Sequence, residues 1–400
     1  MQPLAGVRVV ELAVWVAGPS TGGMLADWGA DVVKVEPPAG DPYRHVFATS
    51  GLDASLPAAP FAMDNRGKRS VVLDLHVEEG REVLDRLLGE ADIFVTNLRP
   101  AALGRLGLGH AEVLERHPRL VYGLVTGYGI AGPEKERPGY DIGAFWARSG
   151  LAMQSTAKDD APQSPRSAQG DHTTGLAALG GILAALHHRD ATGEGILVEV
   201  SLQRTGMYCL GVELGVQLVL GRVTRAVPRT ESASALLNSY RAGDDRWFFL
   251  IGLEADRHFP GVVVAAERPD LLEDERFNTP RGRLKNRREL IAELDEAFAR
   301  QPLSEWARRF DAADVWWAPA QTAAEVVEDR QAIETGAFVE IEGGETPALT
   351  AVAPPAQFGG EALGRTGPVP GLGQHTDEVL SSLGYDDEAR LRLRKRGATV

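Results

Sequence analysis

Short apolar runs alternate with longer amphipathic stretches through the first half of the chain, and their spacing predicts a regular order of elements. Val7 to Leu12 reads as a buried strand, and Ala17-Gly18-Pro19-Ser20 as a turn with Pro19 suited to the first turn of a helix. That helix runs to about Trp28, Gly29-Ala30 stops it, and Asp31 to Glu36 forms a second strand. Strand, helix and strand at this spacing make a βαβ unit with parallel strands. The alternation continues with strands at Ser70 to Leu75, Ile93 to Asn97 and Leu120 to Gly127. Helices are expected at Glu79 to Gly89, with Val83, Leu87 and Leu88 inward, and at Glu112 to His117. Thr173 to His188 predicts a long helix with Leu176, Leu179, Leu183 and Leu186 on one side. A turn at Asp190 to Gly195 and a strand at Ile196 to Ser201 follow it. This is the pattern of a doubly wound, Rossmann-like α/β sheet. A Gly-x-Gly-x-x-Gly run is missing after the first strand, so the pattern alone is no evidence for a dinucleotide.

The grammar changes after about residue 205. Asn238 to Ala242, Gly243-Asp244-Asp245 and Arg246 to Gly252 read as a β-hairpin. Helices are expected near 255–264, 284–300 and 302–312, the second striped by Leu290, Leu294 and Phe298, and a further one near 322–328. The tail shows short strands near 337–342 and 348–353, then a helix over 377–383 with Thr376 as its expected N-cap. The expected domains are a large domain over 1–205, a linker at 206–228, a smaller α+β domain over 229–325, and a return linker and C-terminal part of the large domain over 326–400.

Composition narrows the function classes. Of 400 residues, 44% are hydrophobic and 24% charged, an ordinary globular balance. The net charge of -14 argues against nucleic acid as the main partner, because phosphate backbones demand a basic surface. The single cysteine, Cys209, cannot form an internal disulfide or a cysteine metal cluster, and no metal site is expected. The N-terminus runs straight toward a strand without a leader-like segment, and no apolar stretch reaches the ~18 residues of a membrane span. A soluble, cytoplasmic chain without membrane contact is the expectation.

The chemistry concentrates around Gly170-Asp171-His172-Thr173-Thr174-Gly175, directly before the predicted long helix. A carboxylate there can cap the helix or attack a carbonyl, and the two roles can coexist. Upstream lie Pro138-Gly139-Tyr140-Asp141 and Phe145-Trp146-Ala147-Arg148-Ser149-Gly150. Asp141 reads as a turn residue, His172 as a residue facing a cleft, and His187-His188 as a structural pair at a helix end. Arg99 and Arg148 are able to bind a substrate carboxylate, although arginines are commonly surface residues. Trp316-Trp317 is expected to pack between domains or at an interface.

Taken in order along the chain, these segments resemble the class III CoA-transferases, a family that includes formyl-CoA transferase, carnitine CoA-transferase and the α-methylacyl-CoA racemases. The segments carrying the resemblance are Ala17-Gly18-Pro19, Asp31 to Glu36, Gly67-Lys68-Arg69-Ser70 before Leu73-Asp74-Leu75, Asn97 to Leu106, Gly139-Tyr140-Asp141, Gly170-Asp171, Thr192-Gly193-Glu194-Gly195, and Gly373 with His375-Thr376-Asp377-Glu378. The resemblance implies that Asp171 is the nucleophile. It would attack an acyl-CoA thioester, form a mixed anhydride, and then carry CoA as an aspartyl-CoA thioester to a free carboxylic acid. A carboxylate of ordinary pKa is already ionised at pH 7, and backbone N–H groups from the flanking glycines and the helix start can hold the oxyanion. The resemblance further places Val16 and Ala17 on the CoA and active-site cleft and Tyr140 beside the thioester. It puts Lys68 near the nucleotide end, and Asn97, Leu98, Ala102 and Arg105 along the adenine and phosphates. Lys68 and Arg105 are natural phosphate partners for an acidic protein.

Departures from the family pattern refine these expectations. Racemases of the family carry histidine where this chain has Tyr140, and a phenol of pKa near 10 transfers protons poorly at neutral pH. A transferase is therefore expected, with acyl-CoA and a small carboxylic acid as partners and CoA as substrate rather than resident cofactor. The alternatives are an acyl-CoA racemase or epimerase using Asp171 as a base, and a non-catalytic acyl-CoA-binding protein. Thr230 to Tyr240 lacks the glycine run that closes over the intermediate in formyl-CoA transferase, which argues against oxalate or formate. Pro37-Pro38 replaces a basic residue of some relatives. Succinyl-CoA or another short acyl-CoA is the expected donor. The resemblance also implies a homodimer of two chains interlocked like linked rings.

Overall fold

The main sheet forms because its strands are apolar on both faces, as parallel strands between helical layers must be. Six of them, Arg8–Leu12 (β1), Asp31–Glu36 (β2), Arg69–Val72 (β3), Ile93–Thr96 (β4), Val121–Thr126 (β5) and Leu197–Ser201 (β6), pair in the order β3-β2-β1-β4-β5-β6, all parallel. The computed structural model describes residues 1–49, 51, 53, 58–344 and 347–400. Chain direction across the sheet reverses between β1 and β4, and a crevice opens at the carboxyl ends of those two strands. On one side Val9, Leu25, Val32, Val95 and Ile182 pack together, and on the other Val10, Val33, Phe94, Tyr122 and Leu84.

The chain divides into two compact units, Met1–Met153 with Pro162–Val223 and Gln331–Val400, and Gln154–Ala161 with Thr224–Arg330. The first holds the parallel sheet and a three-stranded sheet of Phe338–Ile341 (β10), Leu349–Val352 (β11) and Arg365–Thr366 (β12), ordered β11-β10-β12. The second holds the antiparallel sheet of Leu237–Arg241 (β7), Trp247–Ile251 (β8) and Trp317–Pro319 (β9), covered by helices Ala255–Ala265, Arg287–Phe298 and Leu303–Ala312. Within its largely aliphatic core lies a cluster of rings: Tyr240, Phe248, Phe298, Trp306 and Phe310 meet at centroid distances of 5.1–6.1 Å.

Several expectations are corrected. The long helix spans Gln169–Thr192, so Asp171 lies inside its first turn; the N-cap is Ala168, in a left-handed conformation, and no side chain caps the end. Asp171 is therefore not the N-cap, and the predicted turn at Asp190 begins only at Gly193 (φ 83°). Leu176 faces outward, 42% exposed, because the helix presents Gly175, Ala178, Leu179 and Ile182 to its neighbours instead. The helix expected over 284–300 breaks at Asn286 into Pro280–Lys285 and Arg287–Phe298. The last helices cover Thr376–Ser382, with His375 rather than Thr376 at the N-cap, and Asp387–Lys395. Thr376 Oγ1 accepts from the Val72 N–H (3.1 Å), which stitches the tail to β3. Trp317 packs against the ring cluster of its own unit and donates from Nε1 to Asp311 Oδ1 (3.0 Å).

Two features of the first unit position the site. The long helix lies very close to the first helix, Ala17–Asp27: a Cβ on Gly175 would sit 2.2 Å from Ser20 Oγ, and Thr21 Oγ1 donates to Gly175 O (3.2 Å). The strands read as purely apolar also conceal a charge network. Lys34 Nζ donates to Glu11 Oε1 (2.9 Å) and Ala13 O (3.0 Å) and pairs with Asp41 Oδ2 (2.9 Å), all with fully buried side chains. Burial pushes the Glu11 carboxyl up, but Lys34 and Lys68 outweigh it and hold it below its ordinary value.

Candidate active site

A pocket of about 350 Å³ occupies the crevice at the carboxyl ends of β1, β4 and β5. Val14 to Ala17 continue β1, Asn97 to Pro100 continue β4, and Val125 to Gly127 close the floor. Lys135, Arg137 to Tyr140, Leu202 and Asp171 complete it. A larger cavity of about 550 Å³ lies beside the turn that leads into β2, around Trp28 and Phe358. It holds none of the candidate site residues, so the smaller pocket, at the sheet's switch point, is the candidate site.

Backbone hydrogen bonds fix the β1 wall. Val14 N–H donates to Asn97 Oδ1 (3.0 Å), and Asn97 Nδ2 donates back to Val14 O (2.7 Å). Trp15 adopts a left-handed backbone (φ 64°), and its N–H donates to Asp41 Oδ1 (3.1 Å), so the buried network reaches the pocket through Asp41. The Trp15 ring meets Tyr140 edge-on at 6.5 Å and Tyr43 at 6.1 Å. Tyr140 opens a π-helical segment, Tyr140–Ala147, with φ 45° and a mostly exposed ring. The following residue, Asp141, bonds Oδ1 to the Ile142 N–H (2.7 Å) while its Oδ2 is buried without a hydrogen-bond partner.

Asp171 is half-buried on the pocket wall, in the first turn of the long helix. Gly170 lets the turn approach the π-helical segment, since a Cβ there would lie 2.5 Å from the Phe145 ring. Burial is the largest influence on Asp171 and pushes its carboxyl up; Asp141 and Asp64 add to this, His172 opposes it, and the result is about 7. At such a value the carboxyl would be only partly ionised at pH 7, where an ordinary carboxylate is fully so. His172 Nε2 lies 3.0 Å from Asp64 Oδ1, a buried carboxylate on helix Ala59–Asn65. Burial pulls the imidazole down, but Asp64, Asp171 and Asp141 raise it above its ordinary value.

The other predicted site residues divide. Val16, Ala17, Asn97, Leu98, Arg99, Tyr140 and Asp171 share the pocket. Arg99 is exposed, with Nη1 donating to Glu136 O (3.4 Å). Ala102 and Arg105, on helix Pro100–Arg105, lie off the lining, Arg105 exposed beyond it. Lys68 is a correction: its buried Nζ donates to Glu11 Oε2 (2.7 Å), Pro19 O (2.9 Å) and Asn65 Oδ1 (3.0 Å), so no ammonium proton is left for a phosphate. Burial is the main cause that pulls it down to about 8. Sequence reasoning missed Trp15, Tyr43, Asp64, Lys135 and Arg137. Asp64 did carry a signal, a carboxylate directly after the apolar run Phe61-Ala62-Met63. Among the described residues, no group of three or more His, Cys, Asp or Glu side chains could hold a metal.

A parallel sheet with this strand order places Asp171 on the wall of the crevice where open α/β folds bind their ligands. The chain belongs to CoA-transferase family III, whose family model matches residues 4–376. It is 35% identical over 390 residues to (R)-2-hydroxy-4-methylpentanoate CoA-transferase of Clostridioides difficile, covering 96% of each chain. It is 32% identical to cinnamoyl-CoA:phenyllactate CoA-transferase of Clostridium sporogenes, covering 98% of this chain and 96% of that one. Among solved structures, a CAIB/BAIF family protein from Brucella suis superposes with a TM-score of 0.83 at 31% identity, covering 96% of this chain and 99% of that one.

Proposed function

We propose that this protein moves CoA from an acyl-CoA to a free carboxylic acid with Asp171 as the covalent nucleophile. The observation that carries the reading is the place of Asp171 on the wall of the switch-point pocket, at the N-terminal turn of a helix. Asp171 attacks the thioester carbonyl, the C–S bond breaks, and a mixed anhydride and CoA thiolate form. The thiolate attacks the aspartyl carbonyl, releases the donor acid as carboxylate and leaves an aspartyl-CoA thioester. The acceptor carboxylate attacks that thioester and expels the thiolate. The thiolate then attacks the acceptor's acyl carbon and frees Asp171. Only the ionised Asp171 can begin the cycle. The first-turn N–H groups, which a helix leaves without internal partners, are suited to the oxyanions.

The lining supports an acid with an apolar side chain, since Val14, Trp15, Val16, Leu98 and Leu202 surround the nucleophile. Two relatives are named for branched and aromatic hydroxy acids, which agrees with such a lining. Arg99, Lys135 and Arg137 supply positive charge at the rim for the CoA phosphates, a role in which Lys68 does not serve. No helix among the described residues is long and apolar enough to cross a membrane, and action on a CoA ester fits a cytoplasmic location.

The homodimer belongs to the same reading, with chains interlocked as the resemblance implies. Helix Gly211–Leu220 buries none of its residues, and Leu218 and Val219 are more than 80% exposed, a face suited to a second copy.

The test is intact mass with hydroxylamine trapping after incubation with a panel of acyl-CoAs. An adduct on the wild type that maps to Asp171 and is missing in Asp171→Ala supports the reading. A second reading, α-proton transfer by Asp171, draws on its raised pKa. Solvent deuterium entering the acyl α-carbon without an adduct would favour it.

A further inference from the structure

Three carboxylates converge at the head of the long helix. Asp171 comes from the helix itself, Asp141 from the π-helical segment and Asp64 from helix Ala59–Asn65. Asp64 meets this turn at His172 (3.0 Å), and the segment that carries Asp141 packs on it where Phe145 closes against Gly170; both carboxylates raise Asp171. Asp64 and Asp141 each keep a second oxygen that is buried without a hydrogen-bond partner. Among the described residues, no lysine or arginine is hydrogen-bonded to any of the three. Of the basic groups of the buried network, Lys68 feels Asp64 from a distance but gives its protons to Glu11, Pro19 O and Asn65, and Lys34 is committed to Glu11, Asp41 and Ala13 O. Tyr43, from the short helix Pro42–His45, also faces the group but stays neutral, because burial and Asp64, Asp171 and Asp41 raise it well above its ordinary value. On the far side of His172, the first helix contributes Ser20 and Met24, and Asp27 is closed in an ion pair with Arg66 (2.8 Å). Like charges this close cannot all ionise without a counter-charge.

We propose that His172, anchored by Asp64, is an electrostatic positioning residue: it is the counter-charge that lets Asp171 ionise. The inference deepens the reading of Asp171 as nucleophile and rests on it for its kinetic consequence. Neighbouring positions on a helix do not face each other, so His172 acts through its field rather than by direct contact. Its ring is turned instead to Asp64, where Nε2 and Oδ1 lie 3.0 Å apart, a contact that favours the imidazolium. The same charge benefits the CoA thiolate and carboxylate that the cycle sets free, since both are anions near the same turn.

Two measurements separate this inference from the reading beneath it. The first is an infrared titration of protein carrying 13C-labelled aspartate, assigned by subtracting Asp171→Asn. It reads the charge of Asp171 whether or not that residue is a nucleophile. The second is the pH dependence of adduct formation with an acyl-CoA. With His172→Gln, the acid limb of both should move up by about one pH unit, so adduct formation at pH 6 falls about tenfold. His172→Lys, which keeps a cation, should leave the acid limb near that of the wild type. Asp64→Asn supplies a check if the glutamine variant does not fold, because it should lower the titration of the His172 ring read by NMR. Coincident limbs for the wild type and His172→Gln would overturn the proposal. So would an equal loss at every pH, which is what a purely structural role produces, or an unmoved His172 ring in Asp64→Asn. An absent adduct with a shifted infrared titration would leave His172 in its role and remove the nucleophile instead.

Discussion

The two units solve the problem of an interior in different ways. The parallel-sheet unit keeps Glu11, Lys34, Asp41 and Lys68 buried together at the ends of its strands. The antiparallel unit sets a cluster of rings among aliphatic side chains, and the polar tips of the rings are satisfied locally: Tyr240 donates to Ala235 O (2.6 Å) and Trp306 Nε1 to Phe298 O (2.8 Å). Buried rings stabilise through area and packing. Buried ion networks add little net stability but fix geometry, because removing one member strands the others. Only the network has something to position: through Asp41 it holds the Trp15 backbone at the pocket.

Five substitutions press on that contrast. The largest effect is expected at the nucleophile, where Asp171→Ala should lower turnover by more than about a thousandfold while circular dichroism stays unchanged.

Lys34→Ala and Phe298→Ala come next, each expected to cost about 3–5 kcal/mol in denaturant unfolding. They should differ in pH dependence. Glu11 is held below its ordinary value, so its contribution exists above the unfolded carboxyl range and is lost as pH falls through its folded value. Lys34 is raised, so its contribution is present below its unfolded value and lost as pH rises through the folded one. The cost of Lys34→Ala should therefore be full near neutrality and shrink in acid, while that of Phe298→Ala stays flat. Equal pH profiles would remove the distinction between the two cores.

A smaller effect is expected from Asp171→Asn on stability. A carboxyl raised from 3.8 to about 7 contributes stability in full below its unfolded value and loses it as pH rises through about 7. The asparagine variant should therefore be more stable than the wild type, by at most about 4 kcal/mol at pH 8 and clearly less at pH 5. A constant difference across that range would mean that Asp171 is not raised. Smallest is Gly170→Ala, expected to cost about 1–3 kcal/mol because its methyl group meets the Phe145 ring. Thermal unfolding should show it, together with weakened adduct formation.

The legible parts of this fold were those in which local pattern and burial agree. The apolar runs around Val9, Val32, Phe94 and Val121 mark strands buried on both faces, and Gly29 and Gly193 mark helix ends. Asp171 stood out through its neighbours in sequence. The charge network was illegible because a Glu11 or Lys34 inside a strand reads as a solvated residue, and its partner Asp41 lies on a following loop. Lys68 was misread for the same reason: the sequence shows its charge but not its three buried acceptors. The π-helical segment at Tyr140 has no periodicity that announces it. Helix Gly211–Leu220 is apolar and yet contributes nothing to the core of its own unit, so its composition speaks of something outside that core.

The stitching of the tail to β3 sets a timetable for synthesis. β3 is an edge strand, and residues far downstream complete its bonding: Val72 N–H donates to Thr376 Oγ1, Thr399 Oγ1 donates to Val72 O (2.7 Å), and His375 N–H donates to Ser70 O (2.9 Å). A ribosome that has made the first five strands leaves that edge bare while some 250 further residues emerge, about 12–50 s at ordinary elongation rates. An open edge is a template for pairing with another chain. The nascent protein therefore carries an open edge through most of its synthesis, and its final helices act as a built-in closing seam.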